Sequence, residues 1–328
     1  MKAANILITG GCGFIGSALL ARLLPNNSVR VLDNGIRRTP LFDELAGHPN
    51  LALTEGDILD RDAVRRAIED ATIIVHMAAI AGVSSYYKAP LRTMQVNLLG
   101  TNNMLDAALE LGSRLQRFVY VSTSEVFGPV AWRARETDPT QQGDLDDRRW
   151  TYGISKLAAE KLAMCFYWEH SLPVVSLRPF NVYGPGQVGE GAVQAFVSRA
   201  VDNEPLEVTG DGLQVRAWCY IDDMVSAVEA ALESDKAVGR TYNIGNPSTA
   251  ITTLGLAQRV RDLTGSASSI GLVPHQGTDI DIRVPDISRA RQDLGFEPKV
   301  GLDDGLRRTV DWFRSTRPSS ERAAARQG

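Results

Sequence analysis

The fold is decided near the amino end of the sequence, in the stretch Asn5-Ile6-Leu7-Ile8-Thr9-Gly10-Gly11-Cys12-Gly13-Phe14-Ile15-Gly16. Its continuous apolar run, residues 5–9, predicts a strand that is covered on both faces. The turn that follows satisfies both G-x-G-x-x-G and G-x-x-G-x-x-G, and a helical pattern comes next. Glycines there allow a tight turn, bring bare backbone to a pyrophosphate, and pack the helix close to the strand. Because the turn joins a first strand to a first helix, it predicts a dinucleotide-binding loop with contacts from Gly10, Gly13, Phe14, Ile15 and Gly16.

Beyond this loop, short apolar runs alternate with helical patterns. Five further runs predict buried parallel strands, at residues 29–33, 51–54, 73–77, 118–122 and 174–177. Apolar residues at three-to-four spacing predict helices at residues 15–24, 62–68, 91–111 and 155–170. Right-handed crossovers place helices on both faces of a parallel sheet. The sequence therefore predicts an α/β protein built on a Rossmann-type doubly wound parallel sheet.

The pattern loosens after Pro179, where glycine-rich turns separate shorter elements. We expect a smaller C-terminal α/β lobe there that binds the substrate. Residues 218–231 and 242–244 again read as a strand with a helix and a buried strand, so we expect the chain to return to the first domain. The predicted division is 1–180 plus about 216–248 for the dinucleotide-binding domain, about 181–215 plus 249–314 for the smaller lobe, and 315–328 for a flexible tail.

The composition excludes several classes of protein. The 328 residues are 44% hydrophobic and 23% charged, which is typical of a folded globular protein. No apolar stretch is long enough to cross a bilayer and no signal-peptide pattern begins the chain, so we expect neither a membrane protein nor a secreted one. The formal net charge of -4 offers no basic field for nucleic acid. Three separated cysteines without Cys-x-x-Cys favour the reducing cytoplasm, and the scattered histidines predict no metal site.

Asp33 ends the second predicted strand, 22 residues after Gly11 (33 minus 11). An acidic residue there can hydrogen-bond the adenosine ribose hydroxyls and would repel a 2′-phosphate, so NAD is favoured over NADP. The neighbouring Arg37 and Arg38 are the one feature that favours NADP. Asp57, after the third strand, can contact the adenine or simply form a turn, and the sequence leaves both open.

Tyr152 and Lys156 lie four residues apart at the start of a helical pattern, so their side chains project from one face. A phenol is a poor base at neutral pH, but an adjacent ammonium lowers its pKa and makes Tyr152 a candidate proton acceptor. Lys156 can also hold the nicotinamide ribose. Taken alone, this spacing is common in exposed helix pairs.

Further motifs accompany the pair along the chain. The fifth predicted strand ends in Val121-Ser122-Thr123-Ser124-Glu125-Val126-Phe127-Gly128, at the carboxyl edge where open parallel sheets bind ligands. With the glycine loop and Tyr152/Lys156, in this order and spacing, the chain resembles the extended short-chain dehydrogenase/reductase family, in particular its nucleotide-sugar epimerases, dehydratases and decarboxylases. The resemblance covers nearly the whole chain, and its other motifs are His76-Met77-Ala78-Ala79, Asn97, Arg178-Pro179-Phe180-Asn181-Val182-Tyr183-Gly184-Pro185, Gly210-Asp211-Gly212, Arg216, Asp222-Asp223, Asn243-Ile244-Gly245-Asn246-Pro247 and Arg283-Val284-Pro285-Asp286.

The resemblance implies an enzyme that oxidises a nucleotide-linked sugar, with UDP favoured, at carbon 4. Tyr152 would take the proton of the 4-hydroxyl, Thr123 would hydrogen-bond the same oxygen, and carbon 4 would pass a hydride to NAD. It also implies a homodimer that pairs through the helices at 91–111 and 155–170. The implied substrate contacts are Ser84, Thr123, Asn181, Val193, Arg216 and Arg283, with Asn181 and the two arginines on the diphosphate. The implied NAD contacts beyond the glycine loop are Asp33, Asn34, Asp57, Ile58, Met77, Ala78, Ala79, Ala81, Asn97, Ser122, Tyr152, Lys156, Pro179 and Val182.

The fate of the 4-keto sugar divides these relatives, and Ser124-Glu125 is the informative pair. Epimerases of the group usually carry small neutral residues there, many dehydratases resemble Thr-Asp-Glu, and decarboxylases resemble Thr-Ser-Glu. We therefore expect chemistry of the UDP-glucuronate decarboxylase type, with Thr123, Ser124, Glu125, Tyr152 and Lys156 as the catalytic group. A 4-epimerase of UDP-glucose or UDP-glucuronate and a 4,6-dehydratase are the alternatives, since residues 152–156 are closer to the epimerases.

Two hypotheses from other classes also fit this fold. A non-catalytic NAD-binding regulator is disfavoured because Tyr152 and Lys156 are intact. A reductase of small neutral carbonyl compounds is disfavoured because Arg216 and Arg283 would then have no anionic partner.

Overall fold

The computed structural model describes residues 3–275 and 277–316. Its strands are β1 (Asn5–Thr9), β2 (Ser28–Asp33), β3 (Leu51–Glu55), β4 (Ile73–His76), β5 (Arg117–Val121), β6 (Val130–Ala134), β7 (Val174–Pro179), β8 (Val182–Tyr183), β9 (Leu206–Thr209), β10 (Val215–Arg216), β11 (Cys219–Tyr220), β12 (Arg240–Ile244), β13 (Ile251–Thr252), β14 (Ile270–Val273) and β15 (Ile282–Pro285). Its helices are α1 (Phe14–Leu23), α2 (Pro40–Leu45), α3 (Arg61–Ile68), α4 (Val83–Lys88), α5 (Pro90–Met94), α6 (Thr101–Glu110), α7 (Thr151–His170), α8 (Ala192–Val201), α9 (Ile221–Glu233), α10 (Thr253–Thr264), α11 (Ser288–Leu294) and α12 (Leu302–Thr316).

Seven parallel strands form the central sheet, in the order β12-β7-β5-β4-β1-β2-β3. All six predicted strands belong to it, and β12 contains the predicted run 242–244. The strand order reverses beside β1, which lies between β2 and β4. In open α/β sheets, ligands bind at the carboxyl ends of the strands beside such a switch point. The predicted doubly wound parallel sheet is confirmed, and its topology places the binding crevice after β1 and β4.

Helices cover both faces of this sheet. Successive residues of β1 enter opposite cores, because side chains alternate across a strand. Ile6 and Ile8 join the core that includes α1 and α9, whereas Leu7 joins the core that includes α3, α6 and α7. A π-helical turn, Gln95–Gly100, separates α5 from α6, so the predicted helix 91–111 is not continuous.

Three smaller sheets hold the other eight strands of the described residues. One has the order β13-β10-β15-β6, and two others pair β8 with β11 and β9 with β14. The pairings β6 with β15 and β8 with β11 both join segments on opposite sides of the division predicted from the sequence. That division stays a prediction. Of the predicted flexible tail, residues 315 and 316 end α12, and residues 317–328 lie outside the described residues. Within the described residues, no helix has the length and apolar character needed to cross a bilayer.

Candidate active site

The glycine loop has the backbone conformation and close contacts that exclude side chains. Gly10 has φ +75°, and a Cβ atom there would lie 2.8 Å from the backbone nitrogen of Ala78. A Cβ atom on Gly16 would strike the carbonyl oxygen of Gly10. Gly13 precedes α1, and no side chain caps this helix N-terminus. The loop therefore presents bare backbone and the positive end of a helix dipole at the crevice, which suits a pyrophosphate.

At the end of β2, the Asp33 carboxylate is fixed beside this loop. Its oxygens accept hydrogen bonds from the backbone nitrogens of Cys12 at 3.0 Å and Gly35 at 2.8 Å. Both nearby arginines are engaged elsewhere, because Arg38 pairs with Asp43 and Arg37 donates to the carbonyl of Ala81. An oriented carboxylate without a free guanidinium fits an unphosphorylated adenosine ribose.

Asp57 has local partners. One carboxylate oxygen accepts from the backbone nitrogen of Leu59 at 2.9 Å, and the other pairs with Arg92. These contacts account for a turn-forming aspartate. The predicted adenine contact remains a prediction, as do those of Asn34 and Ile58.

A buried hydrogen-bond chain shapes the far wall of the crevice. The Thr101 hydroxyl donates its hydrogen to the carbonyl of Asn97 at 2.6 Å, so it can only accept from Nε2 of His76. The hydrogen of the neutral ring is therefore on Nε2, and Nδ1 accepts from the Thr9 hydroxyl at 2.6 Å. The backbone nitrogen of Ala78 donates to the Thr9 hydroxyl at 3.1 Å. Burial, with a smaller effect of the Lys156 charge, lowers the pKa of His76 to about 3. A neutral His76 therefore fixes the segment 77–79, which is predicted to contact NAD.

Asn97 links this segment to the helix that carries the tyrosine. Its side chain accepts from the backbone nitrogen of Ile80 at 2.8 Å and donates to the Ile80 carbonyl at 3.0 Å. It also donates to the Ser155 hydroxyl on α7 at 2.9 Å. Asn97 sits within the π-helical turn, and such turns are frequent at functional sites.

Tyr152 and Lys156 begin α7 as predicted, with Thr123 beside them at the end of β5. Desolvation, reinforced by the Glu125 charge, raises the pKa of the Tyr152 phenol, whereas a hydrogen bond with the Thr123 side chain and the Arg37 charge lower it. Lys156 is 2% exposed and its ammonium lies 4.3 Å from the centre of the Tyr120 ring. Burial lowers the pKa of Lys156 to about 7, against the attraction of Glu160. The Arg37 charge favours the phenolate in this structure, and the expected effect of Lys156 on Tyr152 stays a prediction.

A cavity of about 280 Å³ opens beside Thr123. It brings together predicted residues from separate parts of the chain, which are Thr123, Ser124, Glu125, Pro179, Asn181, Arg216 and Arg283. Six further lining residues were missed in the sequence, which are Tyr86, Tyr87, Arg149, His275, Asp279 and Ile280. The hydroxyls of Tyr86 and Tyr87 are buried without a hydrogen-bond partner among the described residues, so both can serve a bound substrate.

Three guanidinium groups face this cavity. Arg149 donates to both carboxylate oxygens of Glu125, at 2.6 and 3.2 Å. Arg216 lies 3.8 Å from Asp279, and its pKa is lowered by burial. Arg283 is 3% exposed and donates to the backbone carbonyls of Ser124 and Gly128. Burial lowers the pKa of Arg283 to about 10, and no carboxylate pairs with it in the described part of the chain.

The other predicted contacts are distributed around the crevice. The Asn181 side chain donates to the Ala217 carbonyl at 2.9 Å, and its backbone is left-handed with φ +39°. The backbone nitrogen of Ser84 donates to the Glu190 carboxylate at 3.1 Å. Val193 is 1% exposed and packs in the core, whereas the Ser122 hydroxyl is buried without a partner among the described residues. Val182 lies in β8, and Met77, Ala79 and Ala81 follow β4.

Comparisons with known proteins agree with this geometry. The family model described as the NAD dependent epimerase/dehydratase family matches residues 6–245. UDP-N-acetyl-alpha-D-glucosaminuronate decarboxylase of Bacillus cytotoxicus is 33% identical over 319 residues, which cover 94% of this chain and 97% of that protein. UDP-glucuronic acid decarboxylase 1 of Arabidopsis thaliana is 34% identical over 319 residues, covering 96% of this chain and 71% of that protein.

Solved structures agree as well. UDP-glucuronic acid 4-epimerase from Bacillus cereus, in complex with UDP-glucuronic acid and NAD, is similar with a TM-score of 0.87 at 30% identity, covering 95% of this chain and all of that one. The predicted family, its fold and its use of NAD are confirmed. With a family model that matches residues 6–245 and relatives that align along nearly its whole length, the chain belongs to the NAD dependent epimerase/dehydratase family of nucleotide-sugar-modifying enzymes.

Proposed function

We propose that the protein decarboxylates a UDP-linked uronic acid after oxidising its carbon 4. The observation that carries this proposal is Arg283, a buried guanidinium at the cavity wall with no carboxylate partner among the described residues. The Glu125 charge acts on Arg283, but this carboxylate is paired with Arg149, so the buried Arg283 lacks a contacting counterion in the described chain and the cavity is suited to a substrate that brings anionic groups. A UDP-uronate brings the diphosphate and a carboxylate on the sugar.

The residues near Thr123 support decarboxylation over dehydration. Elimination of a hydroxyl group requires an acid that protonates it, and Ser124 stands where many dehydratases carry an aspartate. Two relatives named as decarboxylases match nearly the whole chain. Epimerisation at carbon 4 remains the second candidate function, because a similar structure binds UDP-glucuronic acid and is a 4-epimerase.

We assign the chemistry to residues as follows. Tyr152 accepts the proton of the 4-hydroxyl, and Thr123 hydrogen-bonds the same oxygen. The glycine loop, Asp33 and the segment after β4 would hold NAD, which would supply the acceptor for the carbon 4 hydride and, after decarboxylation, would return that hydride to carbon 4. The ketone then stands β to the sugar carboxylate, so the bond between carbons 5 and 6 can break as its electron pair moves toward the carbon 4 oxygen. Thr123 and the now protonated Tyr152 stabilise the charge on that oxygen while carbon dioxide leaves, and carbon 5 takes a proton.

The remaining assignments belong to the same proposal. Arg216, Arg283 and Asn181 line the cavity that would hold the diphosphate and the sugar, while Lys156 would hold the nicotinamide ribose. We also propose the domain division predicted from the sequence, with NAD held after β1 and β4. The described cysteines are free thiols, which fits a reducing cytoplasm.

Product analysis tests this function. The purified protein is incubated with NAD and, separately, UDP-glucuronate, UDP-N-acetylglucosaminuronate, UDP-glucose and dTDP-glucose, and products are followed by mass spectrometry and proton NMR. The proposal expects a uronate product lighter by carbon dioxide. An unchanged mass with inverted carbon 4 would establish an epimerase instead, and loss of water from a neutral sugar would establish a dehydratase.

We further propose that the protein is a homodimer that pairs through the helices after β4 and through α7. Leu91 on α5 and Leu99 in the π-helical turn are 71% and 52% exposed, so both offer apolar surface that a second copy of the chain could cover. Light scattering on Leu99→Glu should give a monomer and the wild type a dimer. A dimeric variant would place the interface elsewhere.

A further inference from the structure

The 3-10 turn Arg148–Trp150, directly before α7, places Arg149 at the wall of the active-site cavity. Asp147 caps this turn by accepting from the backbone nitrogen of Arg149 at 2.8 Å. The side chain of Arg149 is 9% exposed, and its guanidinium lies 5.3 Å from the Tyr86 ring centre and 5.7 Å from that of Trp150. The turn, its cap and the two rings therefore hold the guanidinium in one place.

Arg149 forms a two-pronged contact with Glu125. Nη1 donates to one carboxylate oxygen at 2.6 Å and Nη2 to the other at 3.2 Å. Within residues 3–275 and 277–316, Arg149 is the side chain that donates hydrogen bonds to this carboxylate. A planar guanidinium that donates in parallel to both oxygens fixes the plane of the carboxylate as well as its charge.

Glu125 faces the reacting end of the cavity. Its backbone nitrogen donates to the Thr123 hydroxyl at 3.2 Å, and its charge acts on the Tyr152 phenol. The carboxylate is 26% exposed, so without Arg149 it would be free to turn toward solvent or toward Arg283, on which its charge already acts.

We propose that Arg149 is a positioning residue that keeps the Glu125 carboxylate turned toward the sugar, and so acts on the step after oxidation at carbon 4. This inference rests on the proposed decarboxylase function, in which Glu125 belongs to the catalytic group. Arg149 touches neither the oxidised carbon nor the cofactor loop in this account. Its removal should therefore leave substrate binding and the first half-reaction in place and slow product formation.

The test compares Arg149→Gln, Arg149→Lys, Glu125→Gln and the Arg149→Gln/Glu125→Gln double variant. Arg148→Gln is the matched control, because it removes the same charge from the same turn at an exposed residue. Three readouts are taken with the uronate that the wild type consumes. They are KM and kcat for release of carbon dioxide, the 340 nm absorbance of reduced cofactor in a single turnover, and the melting temperature.

We expect Arg149→Gln to lower kcat by about 10- to 100-fold, which corresponds to roughly 1.4–2.7 kcal/mol at 1.36 kcal/mol per tenfold. KM and the rate of cofactor reduction should stay within about threefold of wild type, since the lost contact is not one to the substrate. The double variant should be no more than about twofold slower than Glu125→Gln, because both changes interrupt one interaction. Arg149→Lys should recover part of the loss, and Arg148→Gln should match the wild type.

Several results would overturn the inference that Arg149 acts by positioning Glu125. A raised KM with unchanged kcat would make Arg149 a direct substrate ligand, and multiplied losses in the double variant would show that it acts independently of Glu125. An equal fall in the rates of cofactor reduction and product formation would show that Arg149→Gln disrupts the whole site. If Arg149→Gln melts far below the wild type, Arg149→Lys takes its place in the comparison of single and double variants. If the wild type releases no carbon dioxide from any uronate, both the proposed function and this inference are overturned. If the wild type does release it, but the kcat losses of Arg149→Gln and Glu125→Gln multiply in the double variant, the inference alone is overturned.

Discussion

Replacing Tyr152 with phenylalanine removes one hydroxyl group from the proposed proton acceptor and keeps the ring. General acid–base catalysis contributes about 100- to 10,000-fold, or roughly 2.7–5.4 kcal/mol at 1.36 kcal/mol per tenfold, and we expect a loss of kcat in this range. The phenol is desolvated and its hydrogen-bond partner Thr123 is already held by the backbone of Glu125, so a phenylalanine ring should fit without rearrangement. Binding of NAD and of UDP should stay within about twofold of wild type.

The assay measures kcat for product formation by NMR, the two affinities by calorimetry, and the melting temperature. Tyr167→Phe is the matched control, because Tyr167 lies on the same helix with its ring against Gly239, far along the helix from the site. A Tyr152→Phe variant that turns over within about threefold of wild type would refute the assignment of the proton acceptor.

The pH dependence follows from the same geometry. Desolvation, with the Glu125 charge, holds the pKa of Tyr152 above its ordinary value, so activity should rise as pH rises and more phenolate forms. Thr123→Ala removes a hydrogen bond that lowers this pKa, so the rising part of the pH–activity profile should move to higher pH. If the rising part of the pH–activity profile stays at the same pH in Thr123→Ala, the hydrogen bond between Thr123 and Tyr152 is contradicted.

Further predictions concern the cofactor, the core and acid stability. Asp33→Ala should weaken NAD binding about 10- to 150-fold by calorimetry, because hydrogen bonds to charged groups contribute about 1.5–3 kcal/mol; unchanged affinity would remove Asp33 from the site. Leu19→Ala, at a fully buried position of α1, should lower the free energy of unfolding by about 2–5 kcal/mol in urea titrations, whereas Leu213→Ala at a 65% exposed position should change it little. The pKa of His76 is lowered from 6.5 to about 3, so the unfolded state binds a proton that the folded state excludes, and stability should fall as pH drops through this window. His76→Gln should lose that part of the slope, and an unchanged slope would assign acid unfolding to other groups.

The central sheet was predictable because its strands carry their own signal. Each predicted strand is a continuous apolar run, and the structure moves its ends by at most two residues. The two-residue strands β8, β10, β11 and β13 carry no such pattern, since their pairing is decided by distant segments. The predicted helix 91–111 is interrupted because Asn97 turns inward to hydrogen-bond Ile80 and Ser155, which an apolar repeat does not reveal.

The site was predictable where residues lie at the carboxyl ends of strands or next to a motif. Thr123, Glu125, Arg216 and Arg283 were expected in one site and line one cavity. Tyr86, Tyr87, His275 and Asp279 come from loops whose placement depends on the whole fold. Arg149 had one local signal, its position three residues before Tyr152, but its partner Glu125 is 24 residues away in sequence. Helix spacing does not reveal the direction of the Lys156 ammonium, which lies over the Tyr120 ring, and the effect of its charge on Tyr152 stays a prediction.

Labelled substrates show directly whether the protein removes the carboxylate of a UDP-linked uronic acid. UDP-glucuronate and UDP-N-acetylglucosaminuronate labelled with carbon-13 at carbon 6 are incubated with the protein and NAD, and carbon NMR follows the label. We expect the carboxylate signal of at least one uronate to be replaced by that of carbon dioxide and bicarbonate, and Tyr152→Phe to abolish the change. A label that stays on the sugar while carbon 4 inverts, or on a sugar that is unaltered, would contradict the proposed decarboxylation.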